Sequence, residues 1–467
     1  MKINGLFILA ASIGIGFCAS AFAQTSKILT KQYDTGGVYT GTFKDGRQHG
    51  QGTYVLPNGY EYSGQWIDGQ IQGEGTARFP NGSFYEGQFE AGKPQGLGKI
   101  TFADSGTYIG TWKNGKIDGI GLAKYANGEV YDGAFKAANH HGAGVLTSEN
   151  GYRYEGDWLD GKKTGKAQIT YPDGATYAGD VVDGMRHGSG LVTLSDGVTY
   201  DGEWQQGQIT GTGILALANG DRYEGTMLKG AKNGQGKLVF ANGNSYTGGF
   251  NKGQRDGAGV LTRKDGYKFS GNWVAGKLQG AGQITYPNGA KYVGMLKDDL
   301  PDGKGKVTYA DGGSYDGDWE QGVIQGLGLA TFSNGTIYEG EFRQAQNHGH
   351  GKIVYAEGFT YTGVWVNGVR EGKGIATFAD GSIYDGLFKA GKREGIGTLS
   401  TSDGFVYEGA WLAGQMHGIG HAKYANGDIY VGSFVNGQRA GQGTMTFSDG
   451  EVFDGIWKDG DPVTAAE

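Results

Sequence analysis

The sequence predicts an all-β protein, an elongated single-layer antiparallel β-meander built from tandem 23-residue hairpin repeats. Three observations predict this fold. The pair Tyr39/Gly41 recurs every 23 residues as far as Phe453/Gly455, nineteen times without an insertion or deletion. Within each repeat, aromatic or apolar residues alternate with polar ones, which is the period of a half-buried strand. Asn-Gly or Asp-Gly also recurs at positions 20–21 in sixteen of the eighteen units that contain them, a signal for a hairpin turn.

Glycine makes up 95 of the 467 residues, far above its usual share of about 7%. If the recurring tyrosine is unit position 1, then positions 3, 8, 12, 14 and 21 hold 87 of these glycines. Aromatic residues are also abundant, with 28 Tyr, 21 Phe and 9 Trp. We therefore expect the missing side chains at positions 3 and 14 to let large rings lie flat over the backbone.

The repeat predicts two strands. Positions 1, 3 and 5 form the inward stripe of the first strand, and position 5 carries all nine tryptophans. Positions 14, 16 and 18 form the facing stripe of the second strand. We expect a tight turn at positions 20–21, with positive φ at both residues, and a looser connection between positions 8 and 12. Each unit then contacts only its neighbours, so no central core is expected.

A longer period is superimposed on the repeat. A shift of nine units aligns Ser63–Trp66 with Ser270–Trp273, and Asn139–Gly142 with Gln346–Gly349, which indicates an ancestral doubling. The predicted organisation follows from this period: a signal peptide at 1–23, an N-terminal half repeat or cap at 24–38, a nine-unit block at 39–245, a second block with a partial unit at 246–460, and a tail at 461–467.

The first residues predict export. Lys2 gives a positive start, Gly5–Phe17 is almost wholly apolar, and the small residues Ala21 and Ala23 form an A-x-A cleavage pattern. We expect cleavage after Ala23 and a periplasmic or secreted protein, with peripheral attachment to the cell envelope as an open alternative. The apolar run is shorter than the ~20 residues that span a bilayer.

Several kinds of chemistry are not expected. Cys18, the only cysteine, lies in the predicted leader, so the mature chain has no thiol nucleophile, disulfide or thiol metal ligand. Gly87–Lys93 begins like a phosphate-binding loop, but Pro94 replaces the required Ser or Thr. The position-11 histidines lie at least two hairpins apart, roughly 19 Å, too far to share a metal ion. We therefore predict no enzyme activity, cofactor, metal or nucleotide.

The motif in Tyr108–Gly121, Tyr-x-Gly-x-Trp-x-x-Gly-x-x-x-Gly-x-Gly, resembles the MORN repeat, and the resemblance extends from Tyr39 to Gly460. It implies a single-layer antiparallel sheet and two kinds of role, the assembly of proteins and contact with membrane phospholipids. Some members carry a phosphoinositide kinase domain, for which this chain has no residues left over. The departures from the motif are Ala138, Asp299 and Ala345 at position 8 and Ala167 at position 14.

The first candidate binding surface is the aromatic stripe, because ring faces suit an apolar helix, an extended peptide or sugar rings. Its hypothetical binding residues are Tyr108, Trp112, Tyr154, Trp158, Tyr200, Trp204, Tyr315, Trp319, Tyr361 and Trp365. This stripe carries the leading hypothesis, a non-enzymatic scaffold that binds a protein partner or its own copy along the sheet. Binding of glycans or cell wall through the rings remains open, and free sheet edges make a homo-oligomer plausible.

The second candidate surface is a basic edge at positions 9 and 10, formed by Lys93, Lys116, Lys162, Lys163, Arg186, Arg370, Lys392 and Arg393. Such a row suits phosphate groups, and it supports the alternative hypothesis of a peripheral binder of anionic phospholipid headgroups. Overall charge opposes nucleic acid as a partner, because 48 Asp and Glu outnumber 41 Lys and Arg.

Overall fold

The computed structural model describes residues 27–463, so the predicted signal peptide lies outside the described residues. The described chain contains 39 β-strands and no helix. It divides into two compact units, one ending at Ser195 and one beginning at Asp196. The all-β prediction is confirmed.

The first unit contains fifteen strands: β1 (Leu29–Gln32), β2 (Val38–Lys44), β3 (Arg47–Val55), β4 (Glu61–Ile67), β5 (Gln70–Arg78), β6 (Phe84–Glu90), β7 (Lys93–Thr101), β8 (Thr107–Lys113), β9 (Lys116–Lys124), β10 (Val130–Lys136), β11 (Asn139–Thr147), β12 (Arg153–Leu159), β13 (Lys162–Thr170), β14 (Thr176–Val182) and β15 (Met185–Thr193). Within this unit every strand pairs antiparallel with the next one along the chain.

The second unit contains the remaining strands: β16 (Thr199–Gln205), β17 (Gln208–Ala216), β18 (Arg222–Leu228), β19 (Ala231–Val239), β20 (Ser245–Asn251), β21 (Gln254–Thr262), β22 (Lys268–Val274), β23 (Lys277–Thr285), β24 (Lys291–Lys297), β25 (Leu300–Thr308), β26 (Ser314–Glu320), β27 (Val323–Thr331), β28 (Ile337–Arg343), β29 (Gln346–Val354), β30 (Thr360–Val366), β31 (Val369–Thr377), β32 (Ile383–Lys389), β33 (Lys392–Ser400), β34 (Val406–Leu412), β35 (Gln415–Lys423), β36 (Ile429–Val435), β37 (Gln438–Thr446), β38 (Val452–Lys458) and β39 (Asp461–Pro462). They too pair antiparallel in chain order, so the predicted meander of hairpins is confirmed.

The tight turn lies at positions 7–8, not at positions 20–21, so the predicted placement was wrong. Only two residues separate the strands there, and both have positive φ, as at Asp68 (48°) and Gly69 (87°). Two such residues in sequence make a type I′ turn, which matches the twist of a hairpin. The residue at position 7 varies among Asp, Asn, Ala, Gln and Lys, so the sequence carries little sign of this turn.

Positions 18–22 form the longer connection, as in Phe79–Ser83. The Phe79 amide donates to the Ser83 carbonyl oxygen at 2.8 Å, and the Gly82 amide donates to the Phe79 carbonyl oxygen at 2.9 Å. Asn81 accepts a hydrogen bond at its Oδ1 from the Ser83 amide at 3.0 Å. Only Gly82 has positive φ in this loop. The Asn or Asp at position 20 is therefore used for its side-chain acceptor, which closes an Asx turn.

A bulge interrupts every tight hairpin. Gly64 pairs with Gly75, and Trp66 pairs with Ile71. Between these two pairs the first strand has one residue and the second strand has three. The tyrosine hydroxyl forms a hydrogen bond with the residue at the bulge. Tyr62 Oη donates to the carbonyl oxygen of Gln65 at 2.9 Å. All seventeen tyrosines at position 1 make this bond, at 2.7–3.2 Å. Each buried hydroxyl thus has a partner.

The tyrosine ring lies flat over two facing glycines, as predicted. Tyr62 is 0% exposed. A Cβ atom added at Gly75 would lie 2.6 Å from Cε2 of this ring, and one added at Gly64 would lie 2.5 Å from the Cα atom of Gly75. Real Cβ atoms do not approach other atoms so closely. The two glycines therefore make the space that the ring occupies.

Rings at positions 1 and 5 then interlock along each compact unit. Tyr85 meets Phe89 of its own repeat at 5.0 Å between centroids and Trp112 of the next repeat at 5.1 Å, both edge to face. Trp112 also donates from its indole Nε1 to the carbonyl oxygen of Gly98 at 3.3 Å. Edge-to-face pairs contribute about 0.5–1.5 kcal/mol each beyond the area that they bury. This ladder of rings is the hydrophobic core of each unit.

We predict that Gly75→Ala destabilises the first unit locally by about 1–3 kcal/mol, because the added methyl group overlaps the Tyr62 ring. Hydrogen exchange of the β4 and β5 amides measures this, and exchange is expected to accelerate there and less in distant strands. Ser63→Ala is the matched control: this exposed side chain lies beside the same glycine pair, and its loss is expected to change stability by less than about 0.5 kcal/mol. Equal protection of β4 and β5 in Gly75→Ala and Ser63→Ala would contradict the ring-over-glycine contact.

Candidate functional site

The rings lie on one face of each hairpin, here called the ring face, which carries positions 1, 3 and 5 of the first strand and 10, 14 and 16 of the second. Of the ten aromatic residues predicted to bind a partner, nine are at most 8% exposed and Trp319 is half-buried. The nine are Tyr108, Trp112, Tyr154, Trp158, Tyr200, Trp204, Tyr315, Tyr361 and Trp365. These rings form the floor of the ring face, and other side chains form its accessible surface.

Position 10 supplies one part of that surface, because the bulge brings it opposite position 5. The Nζ atom of Lys163 lies 4.5 Å from the centre of the Tyr152 ring and 5.6 Å from that of Trp158. The Arg393 guanidinium lies 4.1 Å from the Trp411 ring and donates from Nη2 to the carbonyl oxygen of Gly414 at 2.8 Å. Cation–π contacts thus hold these charges over the rings.

The predicted basic edge divides into two sets. Lys93, Lys116, Lys162 and Lys392, at position 9, are exposed, whereas Lys163, Arg186, Arg370 and Arg393, at position 10, are half-buried on the ring face. Successive residues of a strand point to opposite faces, so neighbours in sequence do not form one row. Lys162 illustrates the difference, because its Nζ atom pairs with Oδ1 of Asp183 at 3.1 Å.

Charge on the ring face has one sign at position 10. This position holds seven Lys or Arg and no Asp or Glu, although acidic residues are in excess over the whole chain. Within residues 27–463, Lys163, Arg370 and Arg393 form no ion pair with a carboxylate. Burial lowers the pKa of Lys163 and of Arg393. These half-buried positive charges favour an anionic ligand.

Two cavities lie over the ring floor, a mainly apolar one in the first unit and a mixed one in the second. In the first unit a cavity of about 400 Å³ has Tyr85 and Trp112 in its floor, and its remaining walls include Phe79, Phe102, Pro94, Ile100 and Ile117. In the second unit a cavity of about 230 Å³ is lined by Tyr309, Phe332, Ile324 and Asn347, among others. Position 18 therefore faces position 10 across the rings. We call this depression the ring-face groove. The sequence showed the position-18 aromatics as strand residues and gave no sign that they form a wall.

His140 has the most perturbed environment among the histidines. Its imidazole stacks on Tyr131 at 3.7 Å between centroids, and its Nε2 shares a hydrogen bond of 2.7 Å with Oη of Tyr125. Burial lowers the pKa of His140 to about 4. The imidazole is therefore neutral at neutral pH and packs as part of the ring face.

Side chains that could ligate a metal do not cluster in the described chain. Residues 27–463 contain no group of three His, Cys, Asp or Glu side chains placed to hold a metal ion. The described part of the chain also contains no helix of the length and apolarity needed to cross a membrane.

We predict that the native state loses stability as pH falls from about 6.5 to about 4, because the unfolded chain gains a proton on His140 that the folded site excludes. Hydrogen exchange of β10–β12 at the two ends of this window measures the loss. His140→Asn should remove it, since Asn347 occupies the equivalent place nine units later. Strands β28–β30 around Asn347 provide the internal control. Identical pH dependence in the two regions of the unaltered chain would contradict the assignment.

Comparison with known structures shows only weak likeness. The TCP10 domain of Danio rerio CPAP with a peptide of STIL is 15% identical, covering 58% of this chain and 94% of that one, at a TM-score of 0.17. The TCP10c domain of Drosophila melanogaster Sas-4 is 14% identical, covering 43% and 99%, at 0.17. Virginiamycin B lyase of Staphylococcus aureus is 11% identical, covering 59% and 84%, at 0.11. Nothing about function follows from TM-scores this low.

The comparison with curated proteins finds no significant match. The comparison with family models, by contrast, finds a match over most of the chain. The model described as MORN repeat matches eighteen consecutive segments, residues 39–59, 62–84, 85–107, 108–130, 131–151, 154–176, 177–199, 200–222, 223–245, 246–266, 269–291, 292–314, 315–337, 338–360, 361–383, 384–406, 407–429 and 430–452. Together with the hairpin repeat of rings and glycines, this match shows that the chain belongs to the MORN repeat family.

Proposed function

We propose that this MORN repeat protein is an exported, non-catalytic scaffold that binds an extended segment of a protein partner, or of its own copy, in the ring-face groove. The observation that carries the proposal is the apolar cavity of about 400 Å³ over the ring floor. Phe102 and Ile117 in its walls expose apolar surface to a ligand, whereas the Tyr85 and Trp112 rings beneath them are buried.

A polypeptide suits this groove better than a small molecule does. Each repeat presents an aromatic ring at position 1 between positions 10 and 18, so the groove offers a series of related contacts along the strand-pairing direction. Aromatic-lined grooves bind extended segments in which regularly spaced side chains enter successive pockets.

The phospholipid alternative has less support. A flat membrane surface can reach only the exposed position-9 residues of the predicted basic edge. These are Lys93, Lys116, Lys162 and Lys392. Lys162 is already paired with Asp183. The position-10 cations lie over rings inside the groove, where a planar surface of headgroups does not reach as readily as a narrow chain does.

Site-specific photocrosslinking in intact cells tests the proposal. Benzoylphenylalanine replaces Phe102, which is 38% exposed in the groove wall, or Leu97, which is 64% exposed on the opposite face and serves as the matched control. We expect a discrete protein adduct from position 102 and none from position 97. N-terminal sequencing of the crosslinked chain should begin at Gln24, as expected for cleavage after Ala23.

Three results would contradict the proposal. Equal adducts from positions 102 and 97 would place the contact outside the groove. Adducts to lipid alone from position 102 would favour the membrane alternative. An intact N-terminus at Met1, with all of the chain in the cytoplasm, would contradict export.

A further inference from the structure

The side chains at position 10 follow the same order over six consecutive units of each nine-unit block. In the first block the series is Ile71, Pro94, Ile117, His140, Lys163 and Arg186, and in the second block it is Leu278, Pro301, Ile324, Asn347, Arg370 and Arg393. Each series has three apolar residues, one neutral polar residue and two cations. Each also lies within one compact unit, the first before Ser195 and the second after Asp196.

Each series borders one cavity. Pro94 and Ile117 line the cavity of about 400 Å³ in the first unit. In the second unit Leu278 and Pro301 are themselves buried, and the cavity of about 230 Å³ lies at Ile324 and Asn347. The second cavity is therefore centred one hairpin further along, next to Arg370.

Lys163 in the first series and Arg370 in the second are held in place by rings. Arg370 lies 5.5 Å from the Phe359 ring and 5.6 Å from the Phe388 ring, and it donates from Nη2 to the carbonyl oxygen of Gly391 at 2.9 Å. Lys163 donates from Nζ to Oη of Tyr152 at 2.8 Å. Glu129 acts on Lys163 electrostatically, but no carboxylate lies within ion-pair distance of Lys163 or Arg370 in the described chain.

The spacing of the repeats matches one backbone conformation of a partner. Equivalent positions of successive units are two strand spacings apart, roughly 10 Å. A polyproline II segment has three residues per turn and rises about 3.1 Å per residue, so every third side chain recurs after roughly 9 Å. Such a segment running along the groove would present one side chain to each unit. An extended β-strand repeats every two residues, or roughly 7 Å, and loses register after a few units.

We propose that each nine-unit block carries one copy of a composite site on the ring face, which binds a polyproline II segment through apolar side chains in the cavity and carboxylates at the cation pair. In this segment the contacting side chains recur at every third residue, apolar ones first and acidic ones beyond them. One chain therefore binds two such segments. The inference rests on the proposed groove function and adds the chemistry, spacing and stoichiometry of the ligand.

Calorimetric titration of the full mature chain with a synthetic peptide tests the inference. The peptide is polyproline in which six successive third positions are leucine, leucine, leucine, proline, glutamate and glutamate. We expect two peptides bound per chain. A peptide with glutamine in place of glutamate should bind at least about tenfold more weakly, because it keeps the shape of the side chain but loses the charge that strengthens a hydrogen bond to Lys or Arg. A peptide of the same composition with leucine and glutamate at every second position should bind no more tightly than plain polyproline.

Variants distinguish the two sites. Lys163→Met retains an apolar cover over the rings but removes the charge, and it should weaken one of the two binding events about tenfold. Arg370→Met should weaken the other, and the double variant should weaken both. Lys162→Met removes the neighbouring exposed charge, and both sites should keep their affinity. Far-ultraviolet circular dichroism confirms that each variant is folded before titration.

Binding of a single peptide, equal affinity for the every-second-residue peptide, or an effect of Lys162→Met as large as that of Lys163→Met would overturn the inference. Absence of peptide binding together with adducts from position 102 would also overturn it, while leaving the proposed groove function intact. Absence of both would overturn the proposed function as well.

Discussion

The tyrosine ring that lies over two facing glycines is the contact on which each repeat depends. The Tyr62 ring fills the space where Gly64 and Gly75 have no side chains, and its hydroxyl reaches the carbonyl group of Gln65 at the bulge. The fixed ring then supports the edges of Phe89 and Trp66. Because the ring and the glycines beneath it recur together, the period of the sequence and the period of the structure are the same.

Most of the fold was readable from the sequence because strand alternation and glycine placement are local signals that repeat without interruption. The turns were assigned to the wrong connection, since Asn-Gly at positions 20–21 looks like a type I′ turn. In the structure Asn81 acts through its side-chain oxygen, and the tight turn uses residues such as Asp68 and Ala91 with positive φ. Ordinary side chains in that conformation are tolerated because the flanking strand pairs fix the turn geometry.

The candidate site was only partly readable. Alternation places Tyr108 and Trp112 on one face, but it does not say which side chains cover them. That depends on the bulge, which shifts the second strand so that position 10 meets position 5. Lys162 and Lys163 were grouped because they are adjacent, whereas one pairs with Asp183 and the other lies over Trp158. The groove therefore depends on the register of the paired strands, and the pattern of residue types along the sequence does not predict that register.

The most direct test of the ring-over-glycine account is an alkaline titration that records tyrosinate absorbance and the far-ultraviolet sheet signal together. Burial raises the pKa of Tyr131, Tyr223 and Tyr407 to about 12. Between about pH 10 and 12 the unfolded chain loses protons that the folded chain retains, so stability falls as pH rises. The account predicts that most of the tyrosines ionise only as the sheet signal is lost. Ionisation of all tyrosines near pH 10 with the sheet signal intact would contradict it.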